Sequence, residues 1–223
     1  MIVCEEKAFE RILFAGFCDT AIPVSIRLDC DSELTITTLP SLKGVAREFE
    51  KLFGHDPFSK KAHEWLKYKL RPFMFERGFC DNRQSRKIID VYTRDMSAST
   101  LDPGDSIILT APIKNATTAD IDSLIEFGHT VSAIVRDGEI VSVAYTDLVP
   151  DSSYVEVGIE TVPKWRKKGL AKAALSGLIL ELKKNGVAPI FICSRSNRAS
   201  ISTAHSLGFK KESTEYNYVF RRR

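Results

Sequence analysis

The second half of the chain alternates hydrophobic and polar residues in patterns that predict a regular series of elements. Residues 106–113 (SIILTAPI) predict a strand, and residues 117–128 (TTADIDSLIEFG) predict a short helix with Thr or Asp caps. Two runs rich in β-branched residues lie on either side of Asp137-Gly138. Because Asp-Gly is typical of a two-residue turn, these runs predict a β-hairpin.

Five further elements are predicted after the hairpin. Residues 154–162 (YVEVGIETV) predict a strand, and a long helix is expected from about residue 166 to residue 184. The apolar run 188–194 (APIFICS) predicts a buried strand, followed by a helix over 199–207 and a last strand at 216–220. This order predicts an α/β fold with a central sheet and helices on its faces.

The first hundred residues show a different pattern, which predicts a separate α+β N-terminal lobe. A short strand is expected at 34–39, and residues 42–53 and 60–78 are expected to be helical, with Pro72 interrupting the second helix. The apolar face predicted for the first helix consists of Val45, Phe49, Leu52 and Phe53. Residues 81–105 are polar and turn-rich, so we place the boundary between a lobe at 1–100 and a domain at 101–223.

Composition and charge narrow the class of protein. The 223 residues are 43% hydrophobic and 27% charged with a net charge of +3, which is typical of a soluble globular protein and argues against general nucleic-acid binding. No apolar run approaches the ~20 residues of a membrane span, and the acidic N-terminus does not resemble a signal peptide. The five scattered cysteines lack metal-site spacing. We therefore expect a cytoplasmic protein with no membrane partner and no metal site.

One segment departs from this even charge distribution. Residues 164–172 contain five basic side chains and no acidic one, next to the predicted start of the long helix. A helix N-terminus already attracts anions, and Gly169 lets a ligand approach the backbone. A bound phosphate is the occupant that this arrangement favours, and a solvated basic turn is the alternative. The phosphate-binding patterns GxxxxGK[ST] and GxGxxG are absent.

The motif RKKGLA (166–171) resembles the R/Q-x-x-G-x-G/A signature of the GCN5-related N-acetyltransferase (GNAT) family, which binds the pyrophosphate of acetyl-CoA there. The segment NRASISTAHSLGF (197–209) also resembles a family motif, and the resemblance extends over roughly 106–220. It implies a mixed, mostly antiparallel central sheet flanked by helices. A closer resemblance is to the subgroup that includes antibiotic-acetylating resistance enzymes.

The resemblance implies a set of site residues for acetyl-CoA. Backbone groups of Ile159, Glu160 and Thr161 would pair with the pantetheine arm. Asn197 and Ser200 would lie nearby, although Asn197 is also a plausible helix cap. The phosphates would be held by Arg166, Lys167, Lys168, Gly169, Leu170 and Ala171.

Acetyl transfer to an amine calls for a general base, because amines are protonated at neutral pH. Strand alternation places Glu156 and Glu160 on one face of the predicted strand, and we favour Glu156 as the base. Many family members have a Tyr seven residues after the Asn, where this chain has Ala204. The general acid is therefore open, with Tyr216, Tyr218 or water as alternatives.

The leading interpretation is an acetyl-CoA-dependent N-acetyltransferase that acts on an amine of a small molecule or peptide. The alternative from another class is a GNAT-fold module that binds acyl-CoA for regulation without turnover, and a nucleic-acid-binding segment is third. The resemblance leaves a homodimer open. We expect the N-terminal lobe to contribute to the acceptor site.

Overall fold

The computed structural model describes residues 1–4, 20–97, 101–147 and 154–222. The chain divides into two compact units, which we describe separately. Unit 1 comprises Met1–Asp90 and Glu212–Arg223, and unit 2 comprises Val91–Lys211. The domain boundary at residue 100 that we inferred from the sequence stays a prediction.

The elements are numbered in chain order. The strands are β1 (Ile2–Cys4), β2 (Thr20–Ala21), β3 (Val24–Asp29), β4 (Leu34–Thr38), β5 (Phe79–Thr93), β6 (Ile107–Ile108), β7 (Val131–Arg136), β8 (Glu139–Thr146), β9 (Tyr154–Thr161), β10 (Ala188–Ser194) and β11 (Lys210–Arg222). The α-helices are α1 (Lys43–Phe53), α2 (Lys60–Glu76), α3 (Ile121–Glu126), α4 (Leu170–Lys184) and α5 (Arg198–Ser206). None of the helices in the described ranges is long and apolar enough to cross a membrane.

Unit 1 is a small sheet with two helices and its own hydrophobic core. Its strands follow the order β1-β4-β3-β11, with β1 and β4 parallel and the other pairs antiparallel. Phe49 of α1 and Leu66, Leu70 and Met74 of α2 are almost completely buried in this core. Leu52, which we predicted on the apolar face of α1, is 45% exposed, so that prediction is wrong for this residue.

Two other predictions for the first hundred residues are wrong. Helix α2 continues through Pro72 to Glu76. Because Tyr68, four residues earlier, is 76% exposed, water can satisfy the carbonyl that Pro72 cannot pair with. Residues 79–93 form the long strand β5, where we predicted a polar turn region from residue 81. A strand pairs through its backbone and tolerates a polar sequence, so composition alone does not distinguish such a strand from a loop.

Unit 2 contains the sheet order β10-β9-β8-β7-β6. The predicted hairpin is confirmed as β7 and β8, with Asp137 and Gly138 at φ values of 51° and 76° in its turn. Neighbouring strands are antiparallel except β9 and β10, which are parallel. The predicted mixed, mostly antiparallel sheet is confirmed.

Helices cover both faces of this sheet because alternate residues of its strands are apolar on both sides. Val155 and Val157 of β9 belong to a core cluster with Leu175 and Ile179 of α4. A second cluster contains Val143 of β8 and residues of α3. Helix α4 thus packs against β9, whereas the α3 cluster lies over β7 and β8.

The remaining predictions for unit 2 need smaller corrections. The strand expected at 106–113 is reduced to Ile107–Ile108, and the long helix begins at Leu170 instead of near Arg166. A single 3₁₀ turn, Pro163–Trp165, follows β9, and residues 166–169 form a loop. The basic residues 166–168 therefore precede the helix and do not form its first turn.

Candidate active site

The strands β9 and β10 open into a cleft. Their paired register runs from Tyr154–Ala188 to Val157–Phe191, and both strands continue beyond it, to Thr161 and to Ser194. From Gly158 onward β9 therefore presents one side of its backbone to a gap between two strands. An extended chain placed in such a gap can pair with the free side of a strand.

Seven of the predicted site residues line this gap. They surround a cavity of about 280 Å³ whose lining is Ile159, Glu160, Thr161, Arg166, Ala171, Asn197, Ala199, Ser200 and Thr203. The residues come from the end of β9, the basic loop, the start of α4 and the start of α5. Ala199 and Thr203 were not predicted.

A second cavity of about 410 Å³ adjoins the first, with which it shares five residues. It adds three more predicted residues, which are Lys167, Gly169 and Leu170. Trp165, Lys172 and Ser202 complete its lining and were not predicted. The two cavities follow the cleft from β9 to the N-terminus of α4.

The basic loop has a backbone shaped for close approach of a ligand. Gly169 is the N-cap of α4 at a φ of 80°, and Lys167 adopts a φ of 60°, which is unusual for a residue with a side chain. No side chain caps the start of α4, so its first N–H groups are not satisfied by a capping residue. Such strain and such N–H groups are typical of an anion-binding loop.

Side chains of the loop take defined positions around this helix end. The Arg166 Nε donates a hydrogen bond to the Thr161 carbonyl oxygen at 3.1 Å, which ties the guanidinium to the end of β9. The Lys168 ammonium lies over the Trp165 ring, 4.5 Å from the ring centroid. Lys168 is not part of either cavity lining. No acidic side chain occurs between Val162 and Leu180, so the field at this helix end is positive.

Glu156 and Glu160 of β9 and Tyr145 of β8 share the face of the sheet opposite to α4. In the register between β8 and β9, Tyr145 lies opposite Gly158, and Val143 lies opposite Glu160. The Glu160 carboxylate accepts hydrogen bonds from the Thr118 N–H at 2.7 Å and the Thr118 hydroxyl at 2.9 Å. Glu156 is half-buried on the same face and lines neither cavity.

Two groups beside these glutamates have shifted pKa values. Burial raises the pKa of the Tyr145 phenol, and the nearby carboxylates of Asp147, Glu160 and Glu156 raise it further. Burial also raises the pKa of Asp147, an effect that the neighbouring His129 partly opposes. Asp147 lies next to Glu156, because its N–H donates to the Glu156 carbonyl oxygen at 2.8 Å.

The family model of GNAT acetyltransferases matches residues 130–219, which include β7 to β10, the basic loop, α4 and α5. Residues 130–219 form a GNAT acetyltransferase domain. This confirms the family resemblance that we identified from the motifs at 166–171 and 197–209.

A curated relative of the GNAT domain is the [ribosomal protein bS18]-alanine N-acetyltransferase of Escherichia coli K12, with 35% identity over 86 residues. The match covers 38% of this chain and 57% of the relative, so the chain spans little more than half the length of the curated proteins it matches. A GNAT-family acetyltransferase structure from Novosphingobium aromaticivorans shares the fold, with a TM-score of 0.53 and 20% identity over 66% of this chain and 68% of that one.

The cap of α5 gives a prediction for the GNAT domain. The Asn197 side chain accepts a hydrogen bond from the Ser200 N–H at 3.2 Å. Replacing Asn197 by Ala should therefore lower the free energy of unfolding by about 0.5–2 kcal/mol, measured by chemical denaturation without cofactor. Asn197→Ser retains a capping oxygen and should keep most of the stability. An equal loss in both variants would contradict the capping role.

Sequence reasoning missed three polar residues beside the glutamates, which are Tyr145 and Asp147 of the GNAT domain and Thr118, which precedes that domain in the chain. A signal for Tyr145 was available. Gly158 lies between Glu156 and Glu160 on one face of a β-rich strand. A glycine at such a position leaves room for a large side chain on the neighbouring strand. The register that brings Tyr145 to that position was not predictable. The sequence of residues 147–153, between β8 and β9, contains no turn motif that would fix the pairing of the two strands.

Proposed function

We propose that this protein is a cytoplasmic acetyl-CoA-dependent N-acetyltransferase that acetylates an amine of a small molecule or peptide. The observation that carries the proposal is the opened β9–β10 pair, which leads directly to the positive N-terminus of α4. A linear ligand with a phosphate at one end and an amide-containing arm at the other fits this combination. Acetyl-CoA has both features.

In this proposal the two ends of acetyl-CoA occupy different parts of the cleft. The pyrophosphate lies at the loop and helix start formed by residues 166–171, where N–H groups and basic side chains converge. The pantetheine arm extends along residues 159–161 and pairs with their backbone as an added strand. The acetyl group then lies near Gly158, where the gap between β9 and β10 closes.

Glu156 is the general base that we propose. Both Glu156 and Glu160 lie on the face of Gly158, but Glu160 is held by two hydrogen bonds from Thr118. The Thr118 N–H and hydroxyl occupy the Glu160 carboxylate and orient it at the end of β9. We therefore assign Glu160 to anchoring the end of β9 and Glu156 to proton removal, directly or through a water molecule.

The acceptor is an amine whose chemistry is suggested by the acidic face and by the curated relative. Asp147, Glu156 and Glu160 would attract a cationic amine. The relative from Escherichia coli is named for the alanine of a ribosomal protein, so peptides with an N-terminal alanine belong among the first acceptors to test. The contribution of the N-terminal residues to the acceptor site stays a prediction.

A second candidate function is binding of acyl-CoA without turnover, for regulation. One observation favours it, because Ala204 occupies the position of the usual Tyr and is completely buried in the core next to α4. That residue cannot supply a proton to the leaving thiolate. The face with Tyr145 and two glutamates favours turnover over this alternative.

A turnover screen separates the two functions. Acetyl-CoA is incubated with the purified protein and with peptides bearing N-terminal alanine, polyamines, aminoglycosides or single amino acids, and the released thiol is measured. Acceptor-dependent thiol release together with a mass increase of one acetyl group on the acceptor is expected. Tight acetyl-CoA binding by calorimetry with no release for any acceptor class would favour the regulatory module.

A further inference from the structure

We propose that Tyr145 is the proton donor to the thiolate that leaves when the amine attacks acetyl-CoA. This assignment rests on the acetyl transfer proposed above. It gives the chain a general acid from β8, in place of the residue that Ala204 cannot supply.

The Tyr145 phenol lies against the backbone of β9. Tyr145 lies opposite Gly158 and covers it closely. A Cβ added to Gly158 would lie 2.5 Å from the Tyr145 Cζ and 2.8 Å from its hydroxyl oxygen. The tyrosine ring therefore rests on the Gly158 backbone, and its hydroxyl is held at this point of the strand.

Gly158 lies where the gap between β9 and β10 closes. The last paired residues of β9 and β10 are Val157 and Phe191, so Gly158 is the first residue at the closed end of the gap. The phosphate end of the ligand is fixed at the opposite end, beside Thr161 and the basic loop. An arm that extends from Thr161 toward Val157 brings its sulfur to the neighbourhood of Gly158 and hence of the Tyr145 hydroxyl.

The surroundings of Tyr145 favour the protonated phenol. Burial and the facing carboxylates of Asp147, Glu160 and Glu156 raise the pKa of Tyr145 above its usual value of 10.0. His129 acts on Asp147 in the opposite direction to burial and lowers the pKa of that carboxyl. Because the charged form is disfavoured, the phenol keeps its proton throughout the neutral range and can donate it.

Acetyl transfer breaks one C–S bond and forms one C–N bond. The neutral amine nitrogen attacks the acetyl carbonyl carbon, a C–N bond forms, and Glu156 takes the proton that the nitrogen loses. The C–S bond breaks, the sulfur keeps the electron pair, and the Tyr145 hydroxyl gives its proton to that sulfur. The products are the amide and CoA thiol, and transfer of the proton from Glu156 to the phenolate, through water, restores both side chains.

The tyrosines considered from sequence do not take this role. Tyr216 and Tyr218 are buried in the core cluster of unit 1, where Tyr216 shares a hydrogen bond with His63. The rings of Tyr216 and Tyr218 pack against each other, and that of Tyr216 also packs against His63. Tyr145, in contrast, lies against Gly158 of β9 in unit 2.

The test removes the hydroxyl and keeps the ring. In Tyr145→Phe, kcat should fall by about 10²-fold, the low end of the range for losing a general acid, because a thiolate is already a fair leaving group. The KM for the acceptor and the calorimetric affinity for acetyl-CoA should stay unchanged. Tyr154→Phe, on the exposed start of β9, removes the same group outside the cleft and should retain wild-type kcat.

A double-mutant cycle tests whether the hydroxyl acts from its place on Gly158. Gly158→Ala must displace the ring, since the new Cβ lies within 2.8 Å of three of its atoms. It should lower kcat in the wild-type background and have little further effect in Tyr145→Phe. Fully additive losses would overturn the proposal that the hydroxyl acts from this position.

The remaining outcomes separate this proposal from the proposed function. Wild-type kcat in Tyr145→Phe, with an active wild-type enzyme, overturns the role of Tyr145 and leaves the acetyltransferase intact. A fall in acetyl-CoA affinity equal to the fall in kcat would also overturn it, because the hydroxyl would then serve binding. Absence of turnover by the wild-type protein with every acceptor class would overturn both proposals together.

Discussion

Replacing Gly169 by Val is expected to abolish acetyl-CoA binding. Gly169 is the N-cap of α4 at a φ of 80°, and a Cβ there would meet no protein atom within 4 Å. The new side chain would therefore project into the space in which we place the phosphates and would block approach to the helix N–H groups. Calorimetric titration with acetyl-CoA measures the loss.

A second glycine provides the control for the strain that a valine causes at positive φ. Gly186, just after the C-terminal end of the same helix, has a φ of 68° and equally open surroundings. Gly186→Val should cost similar stability and leave acetyl-CoA affinity unchanged, as should Lys183→Ala in the last turn of the helix. Unchanged affinity in Gly169→Val would remove the basic loop from the cofactor site.

Replacing Glu156 by Gln should lower kcat by roughly 10²–10⁴-fold, which is the usual contribution of a general base. Acetyl-CoA affinity should survive, because Glu156 lines neither cavity of the cleft. The residual rate should rise with pH, since the acceptor amine must then lose its proton to solvent. Initial-rate measurements give kcat and its pH dependence. They should run from roughly pH 6 to pH 9, where deprotonation of the amine gains importance.

Glu139→Gln is the matched control for this prediction. Glu139 begins β8 and pairs with Lys114, outside the cleft, and the same isosteric change there should leave kcat at the wild-type value. Glu160→Gln distinguishes the two glutamates of β9. A larger loss of kcat in Glu160→Gln than in Glu156→Gln would reverse the roles that we assign to them.

The cofactor half of the candidate site was predictable from sequence because its determinants are local. Residues 163–171 carry the proline, the basic side chains and the glycine that shape the loop, and all of them are adjacent in the chain. The β7–β8 hairpin was predictable for the same reason, since Asp137-Gly138 fixes its turn. The start of α4 was misplaced by four residues because basic residues and leucine both suit a helix.

The catalytic half of the candidate site depends on pairing between strands, which no local sequence pattern determines. Strand β5 was missed because its polar residues resemble a loop until a neighbouring strand satisfies its backbone. Tyr145 comes to lie against Gly158 of β9 only through the register between β8 and β9. A shift of one residue in that register would place the ring on the α4 face, so the candidate acid is a property of the sheet and not of the motif.

The path of the chain through unit 1 has a consequence for the order of biosynthesis. Strand β3 of this unit pairs with Ser213–Asn217 of β11, and residues 91–211 of unit 2 lie between them in the chain. On the ribosome, the edge of β3 therefore stays open until more than a hundred further residues have been translated. An exposed strand edge invites aggregation, so nascent chains stalled before residue 212 are the species that chaperones should have to protect.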